Sequence, residues 1–189
     1  MKSKKSMQPV RLCWQLAPFA RFAIAEKLDG VRAIYNPLER TLTTRNGNAI
    51  TSCQHIVDQL SGCNMMLDGE IYIPGQPLRV IAGLARRNAA AQQLCYYPFD
   101  TISQARQDER LMDLASVKRS ANIIPHLPPS IRSYKSARLF FNAVICRGGE
   151  GVIIRNLDSY YQPGESCDII KIKPDYSPED RELERFDIK

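Results

Sequence analysis

The sequence predicts an α+β fold in which antiparallel-dominated mixed sheets are flanked by helices. Three observations support this class. The chain has 189 residues, of which 44% are hydrophobic and 24% are charged, a balance typical of a folded globular domain. Strand-like alternation with a period of two and helix-like periodicity both occur along it. The two patterns follow each other irregularly, without the regular strand–helix–strand repeat of a doubly wound sheet.

The first part of the chain predicts strands separated by turns. Residues before Phe22 show no regular pattern and are predicted to be irregular. Turn formers such as Asn36-Pro37 and Asn46-Gly47 bound the strand-like segments and favour hairpins. The predicted elements are strands at 22–25, 31–36 and 40–44 and a short helix at 52–60.

The rest of the chain alternates between helices and short strands. Pro77 falls in the first turn of a predicted helix and Gly148-Gly149 ends another, as proline and glycine commonly do. The predicted elements are strands at 66–73, 94–99, 123–127, 151–155 and 168–173, helices at 77–92 and 133–146, and an amphipathic segment at 108–120.

Several functional classes are excluded by the composition. No apolar run approaches the roughly 20 residues that cross a bilayer, so no membrane partner is expected. Gln15, Pro18 and Arg21 interrupt the stretch that would otherwise resemble a secretory signal. Six cysteines without a C-x-x-C pair, and only two histidines, predict neither a zinc site nor a redox pair. Reduced thiols favour a cytoplasmic location.

Positive charge is concentrated in the body of the chain. Residues 174–189 hold six acids and three bases, so residues 1–173 hold 23 bases and 14 acids, a net charge of +9. A body of this sign favours polyanionic partners. Arg79 and Arg86 lie seven residues apart on one face of a predicted helix and are candidate DNA contacts. A solvated helix face is an equally good explanation of these arginines.

One lysine stands in a setting that suits nucleophilic chemistry. Lys27 follows an apolar strand and precedes an Asp29-Gly30 turn, so it can lie in a partly desolvated pocket. Free lysine, with a pKa near ~10.4, is a poor nucleophile at neutral pH unless burial or a nearby cation favours the neutral amine. On this evidence alone, a surface lysine before a turn is the commoner explanation.

Further groups along the chain complement such a lysine. Glu70 and Glu150 each lie beside a turn and a strand, and two carboxylates can bind Mg²⁺, which prefers oxygen ligands. Lys171 and Lys173 alternate on a strand, so both can reach one pocket and stabilise the charge of a triphosphate. Phe99 ends an aromatic strand and can stack on a purine base. Each residue by itself also fits an ordinary structural role.

Taken in order, these segments resemble the nucleotidyltransferase (adenylation) domain of ATP-dependent DNA ligases. The resemblance covers residues 24–173 and implies an ATP-grasp-like fold. Five segments resemble the family's motifs I, III, IIIa, IV and V, and one resembles the accessory motif after motif I. In chain order they are Lys27-Leu28-Asp29-Gly30-Val31-Arg32, Thr44-Arg45-Asn46-Gly47 (the accessory motif), Leu67-Asp68-Gly69-Glu70-Ile71, Tyr97-Pro98-Phe99-Asp100, Glu150-Gly151-Val152-Ile153-Ile154-Arg155 and Ile170-Lys171-Ile172-Lys173.

The resemblance implies a covalent mechanism that uses ATP and Mg²⁺. Lys27 would attack the α-phosphate of ATP and form a lysyl-AMP intermediate. AMP would then pass to the 5′-phosphate of a nick in double-stranded DNA, and the 3′-hydroxyl would displace it and seal the strand. The implied contacts are Ala25, Arg32, Arg45, Glu70, Phe99, Lys171 and Lys173 for ATP, Glu70 and Glu150 for the metal, and Arg32 and Arg45 for DNA.

Two features depart from complete members of this family. Residues 1–175 are predicted to form the nucleotidyltransferase domain and residues 176–189 to begin a linker to an OB-fold domain that is absent, so weak activity of the chain alone is expected. The chain is expected to be a monomer, and an OB-fold domain supplied in trans is a candidate partner. Glu165 lies at or next to a position where many relatives carry a basic residue, and it would repel a nick phosphate unless it points elsewhere.

Two other functions remain compatible with the sequence. An RNA ligase or a capping-type nucleotidyltransferase would use the same lysine chemistry, although the segment 27–47 resembles DNA ligases more closely. A catalytically weak remnant that binds nucleic acid through its basic body is the other alternative.

Overall fold

Eight strands form two four-stranded sheets in the residues that the computed structural model describes, which are 7–11 and 19–174. The predicted α+β class, with mixed and mainly antiparallel sheets, is confirmed. The strands are β1 (Met7–Arg11), β2 (Phe22–Glu26), β3 (Val31–Asn36), β4 (Thr41–Thr44), β5 (Leu67–Tyr72), β6 (Cys95–Thr101), β7 (Val152–Asn156) and β8 (Gly164–Ile172), and the helices are α1 (Gln54–Gln59), α2 (Leu78–Ala85), α3 (Gln107–Ala115) and α4 (Tyr134–Cys146).

Sheet I, in the order β1-β8-β7-β2, combines strands that are far apart in the sequence. β8 pairs in parallel with β1 and antiparallel with β7, and β7 pairs antiparallel with β2. The registers align Ala25 with Ile153, and Ile153 with Lys171. Because aligned residues of neighbouring strands share a face, these three side chains project from the same side of the sheet.

Sheet II, in the order β4-β3-β5-β6, is built from antiparallel neighbours that are close in the sequence. The turn between β3 and β4 forms where the sequence predicted it, and the side-chain oxygen of Asn36 accepts a hydrogen bond from the N–H of Leu38 at 3.1 Å. Arg32 on β3 lies opposite Glu70 on β5. The register of β5 against β6 shifts between Asp68 and Gly69, so a bulge interrupts the pairing of these strands next to Glu70.

Each sheet buries one face against helices. Sheet I packs on α4 through an alternating apolar set from β2, β7 and β8, and sheet II packs on α1, α2 and α3 in a separate, larger cluster. Since the apolar face of sheet I is covered by α4, its other face is left to line a cleft. None of the helices in the described ranges is long and apolar enough to cross a bilayer.

Two predicted segments take a different structure because of contacts with distant residues. The N-terminal segment, predicted to be irregular, contains β1 because residues 7–11 pair with β8. The segment 123–127, predicted as a strand, is not a regular strand: it lies along β6 with a single bridge between Ile123 and Tyr96 and hydrogen bonds from the N–H groups of Ile124 and His126 to the carbonyls of Tyr96 and Pro98. In both cases the partner strand decides the structure, and the local pattern carries no sign of it.

Other predicted elements are present with different limits. The helix predicted at 77–92 ends at Ala85, because Ala91 is buried and its N–H donates to the carbonyl of Ser52 at 3.0 Å. The last strand begins at Gly164 rather than at 168. The predicted linker at 176–189 lies outside the described residues.

Candidate active site

A cleft lies where the chain crosses from one sheet to the other. β2 of sheet I ends at Glu26 and β3 of sheet II begins at Val31, so residues 27–30 connect the two sheets. The cleft holds a cavity of about 280 Å³, close to the lower end of the usual range for ligand pockets. Its lining is formed by Ala25, Glu26, Lys27, Leu28, Arg32, Arg45, Glu70, Phe99, Asp100, His126, Ile153, Arg155, Glu165, Ile169 and Lys171.

Lys27 is fixed at this crossing by its backbone and by its side chain. Its N–H donates to the carbonyl of Gly151 at 2.8 Å, which ties the crossing to the start of β7. Its ammonium Nζ donates to Oε2 of Glu150 at 2.5 Å, and both side chains are about three-quarters buried or more. The other carboxylate oxygen of Glu150 contacts the ammonium of Lys173. One carboxylate therefore joins two lysines at the end of sheet I.

Glu70 is the acidic group of the cleft that favours its neutral form. Burial raises the pKa of Glu70 to about 8, although Lys27, Arg32 and a hydrogen bond from the backbone of Gly30 act in the opposite direction. The backbone of Gly30 approaches β5 closely, because a Cβ at this position would lie 2.2 Å from the carbonyl oxygen of Ile71. Only glycine allows this approach, and it brings the crossing segment against Glu70.

Arg32 is held by a buried carboxylate. Its Nε donates to Oδ1 of Asp68 at 2.9 Å and its Nη2 to Oδ2 at 2.5 Å, so the pair is bidentate. Asp68 is fully buried and also accepts a hydrogen bond from the hydroxyl of Tyr161 at 2.9 Å. Burial acts to lower the pKa of Arg32, but the charge and hydrogen bonds of Asp68 hold it above its ordinary value. Arg32 thus carries a fixed positive charge on the cleft wall.

Phe99 lies between the aromatic strand β6 and two arginines. The guanidinium carbons of Arg32 and Arg155 are 5.3 and 5.0 Å from the centre of its ring, within the range of a cation–π contact. Arg155 is only 6% exposed, and its Nε has no hydrogen-bond partner among residues 7–11 and 19–174. Burial lowers the pKa of Arg155. This end of the cleft is therefore aromatic and positively charged.

His126 supports the backbone beside Phe99. Its ring Nε2 donates to the carbonyl oxygen of Glu26 at 2.8 Å, and its own N–H donates to the carbonyl of Pro98 at 2.7 Å. Burial is the main cause that lowers the pKa of His126, and the nearby Arg155 acts in the same direction. A neutral imidazole therefore connects the last residue of β2 to β6.

A buried ion pair backs the cleft behind β6. Arg110 on α3 is fully buried and its Nε donates to Oδ1 of Asp100 at 2.9 Å. The same guanidinium donates to the carbonyl of Ala105 and to the side chain of Gln107, each at 2.8 Å. A buried charge needs partners of this kind. α3 is thus anchored directly behind Phe99.

The chain matches a known protein family over most of its length. The family model described as the ATP dependent DNA ligase domain matches residues 15–173, which is most of the chain. The chain belongs to this family. The expected resemblance to the nucleotidyltransferase domain of ATP-dependent DNA ligases is therefore confirmed.

Relatives of this ligase domain include viral and bacterial DNA ligases. The DNA ligase of African swine fever virus (isolate Tick/Malawi/Lil 20-1/1983) is 29% identical over 120 residues, which are 57% of this chain and 29% of the viral protein. The DNA ligase of Haemophilus influenzae is 25% identical over 164 residues, which are 82% of this chain and 59% of that protein. The chain thus spans less than two thirds of the length of these relatives.

The fold of the ligase domain also matches a solved relative. The structure of Chlorella virus DNA ligase-adenylate superposes with a TM-score of 0.75 at 20% sequence identity. The match covers 90% of this chain and 67% of that chain. At this identity the likeness concerns the fold.

The structure brings most of the predicted nucleotide-binding residues together. Seven of them, Ala25, Lys27, Arg32, Arg45, Glu70, Phe99 and Lys171, line the cleft. Lys173 is not part of the lining and joins the group through Glu150. Glu165, whose direction the sequence left open, is exposed and lines the cleft. Arg79 and Arg86 are exposed at α2 and do not line the cavity.

The fit of a metal ion can be tested against the acidic groups. In the described ranges, no group of three or more His, Cys, Asp or Glu side chains could hold a metal ion by itself. Mg²⁺ is commonly held by one or two carboxylates together with substrate phosphates, so such a preformed cluster is not needed. Glu70 and Glu150 fit this pattern, because both lie near Lys27 and a cation would favour the ionised form of Glu70.

The sequence reasoning missed several groups that shape the cleft. The sequence alone assigns no role to Asp68, Tyr161, Arg155 and His126, although Asp68 and Arg155 lie in two of the motif-like segments. Asp68 precedes Gly69-Glu70 and Arg155 closes the segment that starts at Glu150. The signal that could have identified these two residues is a polar side chain inside an otherwise apolar strand, since such a side chain is rarely buried without a partner.

Proposed function

We propose that this domain performs the nucleotidyl-transfer chemistry of an ATP-dependent DNA ligase, with Lys27 as the nucleophile. The main support is the 2.5 Å contact between the Nζ of Lys27 and Oε2 of Glu150 at the edge of a cationic cleft. Family membership supports the same chemistry. A solved family relative is itself named a ligase-adenylate.

In the first step, Lys27 forms a bond to the α-phosphorus of ATP. The bond from that phosphorus to the bridging oxygen of pyrophosphate breaks, and pyrophosphate leaves with the electron pair. An ammonium cannot attack, so the nitrogen must lose a proton before or during the step. Oε2 of Glu150 already accepts a hydrogen bond from this nitrogen and is the nearest base. We assign it as the proton acceptor.

The other cleft residues would bind ATP and stabilise the charge that develops. Arg32, Arg45, Lys171 and Lys173 would contact the phosphates, as phosphoryl transfer requires. The residues at the aromatic end would bind the base, Phe99 by stacking and Ala25 by its backbone. Glu70 and Glu150 would hold Mg²⁺, which when bound neutralises phosphate charge and favours the departure of pyrophosphate.

The later steps require nicked double-stranded DNA. AMP would move from Lys27 to the 5′-phosphate, and the 3′-hydroxyl would then displace AMP and join the strand. Arg32 and Arg45 would contact the nick, whereas Arg79 and Arg86, exposed at α2, would contact the duplex farther away. An OB-fold domain in trans would assist these steps. We further propose that the protein acts in the cytoplasm as a monomer.

Transfer of label from ATP tests the first step directly. The protein is incubated with α-labelled ATP and Mg²⁺ and then separated under denaturing conditions. We expect a labelled band for the wild type and for Lys118→Ala, a control at an exposed lysine after α3, and none for Lys27→Ala. If the Lys27→Ala variant is still labelled, another residue must be the nucleophile.

Separate substrates distinguish the alternatives. A DNA ligase seals a pre-adenylated DNA nick without ATP, whereas a preference for nicked RNA or for labelled GTP would indicate an RNA ligase or a capping-type enzyme. Binding of the nick without label transfer or sealing would indicate a nucleic-acid-binding remnant. The net positive charge of residues 1–173 is the observation that supports this last function.

A further inference from the structure

The connection between β7 and β8 ties the two sheets together behind the cleft. Its strands belong to sheet I, but the connection is attached to the start of α3. The N–H of Gln107 donates to the carbonyl of Ser159 at 2.8 Å, and that of Asp108 to the carbonyl of Leu157 at 3.2 Å. Arg106 and Tyr160 form a β-bridge. Because α3 packs on β6 of sheet II, residues 157–160 connect sheet I to sheet II through α3.

The next residue of this connection reaches the cleft wall. The hydroxyl of Tyr161 donates a hydrogen bond to Oδ2 of Asp68 at 2.9 Å, and the same oxygen accepts a hydrogen bond from Nη2 of Arg32 at 2.5 Å. Asp68 has no exposed surface, so water cannot replace a lost donor there without rearrangement. The orientation of the Asp68 carboxylate therefore depends on Tyr161 as well as on Arg32.

The ring of Tyr161 is itself supported from behind. The guanidinium carbon of Arg110 lies 5.5 Å from the ring centre. Arg110 is fully buried and hydrogen-bonded to Asp100 and to the carbonyl of Ala105, so its side chain is held in place. On the other side, Arg32 lies 5.3 Å from the ring centre of Phe99. A continuous series of contacts thus runs from α3 to the aromatic end of the cleft.

We propose that Tyr161 is a positioning residue that fixes Arg32 in the cleft through the shared carboxylate of Asp68. The inference rests on the proposed function, because it concerns the site in which Lys27 would be adenylated. Tyr161 does not itself line the cavity, so its effect on the reaction must pass through another side chain. Loss of its hydroxyl would let the Asp68 carboxylate turn, and Arg32 would lose its orientation toward the bound substrate.

A double-mutant cycle on the full chain tests this route. Tyr161→Phe, Arg32→Ala and the double variant are compared by the rate of label transfer to Lys27 and by the sealing of a pre-adenylated nick. We expect Tyr161→Phe to slow the step that Arg32→Ala slows, by about fivefold to tenfold, a factor typical of one lost buried hydrogen bond. In the Arg32→Ala background the same change should have less than about a twofold effect, because the group it acts through is gone.

Tyr160→Phe is the matched control, since the neighbouring Tyr160 is 57% exposed, and its rates should equal those of the wild type. The side-chain Nε–H resonance of Arg32 gives a readout that needs no activity. It should shift in Tyr161→Phe and stay in place in Tyr160→Phe. Equal effects of Tyr161→Phe in both backgrounds, or an unshifted resonance, would overturn the inference while leaving the proposed function intact. A wild type that neither takes label nor seals the pre-adenylated nick would instead refute the proposed function, whether or not it binds the nick.

Discussion

The Nζ of Lys27 lies 2.5 Å from Oε2 of Glu150, and this contact joins two parts of the chain that are 123 residues apart. Lys27 follows β2 and Glu150 precedes β7, and these strands are neighbours in sheet I. The pairing of the strands therefore brings Lys27, the proposed nucleophile, to Glu150, its proposed base. Since Lys173 contacts the same carboxylate, a single negative charge positions both lysines.

Removing the charge of Glu150 should nearly abolish transfer of label to Lys27. Glu150→Gln keeps the shape of the side chain but cannot accept the proton, and it leaves both lysines without their anionic partner. We expect a loss of about 100-fold or more in the rate of label transfer, the size typical of losing a general base. Glu39→Gln, in the exposed turn between β3 and β4, is the control. Wild-type rates in Glu150→Gln would exclude the assigned role.

The pH dependence of stability should contain a contribution from Glu70. Burial raises the pKa of Glu70 to about 8 in the folded protein, above the value of about 4.3 for an unfolded chain. Its stabilising contribution is complete below about pH 4.3 and is lost as the pH rises toward 8. Glu70→Gln cannot titrate, so its unfolding free energy relative to the wild type should increase between pH 5 and pH 8.5. Urea unfolding measures the difference, and a value that is the same at both pH values would contradict the prediction.

Two glycines provide a matched test of the close approach beneath the crossing segment. A Cβ on Gly30 would meet the carbonyl oxygen of Ile71 at 2.2 Å, whereas a Cβ on Gly62 would meet nothing within 4 Å. We expect Gly30→Ala to reduce the unfolding free energy by about 2 kcal/mol or more and to weaken ATP binding. Gly62→Ala should change the unfolding free energy by less than about 1 kcal/mol. Similar effects at the two positions would show that the approach of Gly30 is not required.

Glu165 should weaken the binding of DNA to the cleft. It is exposed and lines the same cavity as Arg32 and Arg45, so its negative charge opposes a phosphate there. Glu165→Arg should tighten the binding of nicked duplex and steepen the dependence of log K on log salt by about 1. Fluorescence anisotropy across a salt series measures both quantities, with Glu39→Arg as the control. Unchanged affinity would put Glu165 outside the DNA-binding surface.

The arginines of α2 should contribute to affinity without contributing to adenylation. Arg79 and Arg86 are exposed and do not line the cavity. The double change to alanine should flatten the salt dependence of duplex binding by about 2, one for each lost phosphate contact, while label transfer to Lys27 remains at the wild-type rate. Lys118→Ala with Arg119→Ala, a pair of exposed bases after α3, is the control. An unchanged slope would favour a simple solvated helix face.

Local signals predicted most of the fold. The β3–β4 hairpin was predicted from its turn residues and α4 from its helical periodicity, and both signals lie within short stretches of sequence. β1 was missed because its strand depends on β8, and the helix at 77–92 was overestimated because Ala91 bonds to Ser52 instead of continuing the helix. Pairing with distant residues is not visible in a short window.

The site was predictable to a similar degree. Lys27, Glu70 and Phe99 belong to short segments whose residue types suggest their chemistry, and the structure brings them to one cleft. Tyr161 and Asp68 meet only through the tertiary fold, and nothing in either local segment indicates the other. Likewise, the Nε of the buried Arg155, which has no hydrogen-bond partner within the described part of the chain, becomes evident only once burial is known. Supporting residues of this kind are specified by the fold as a whole.

The strand order has a consequence for how the protein is made. Sheet II uses strands from residues 31–101 in hairpin-like neighbours, whereas sheet I needs β1 and β2 together with β7 and β8. A chain that leaves the ribosome from its N-terminus can therefore complete sheet II while sheet I still awaits its last strand. The crossing segment with Lys27 gains its partner Glu150 only after most of the chain has been translated. Assembly of the surroundings of Lys27 is thus a late event in biosynthesis.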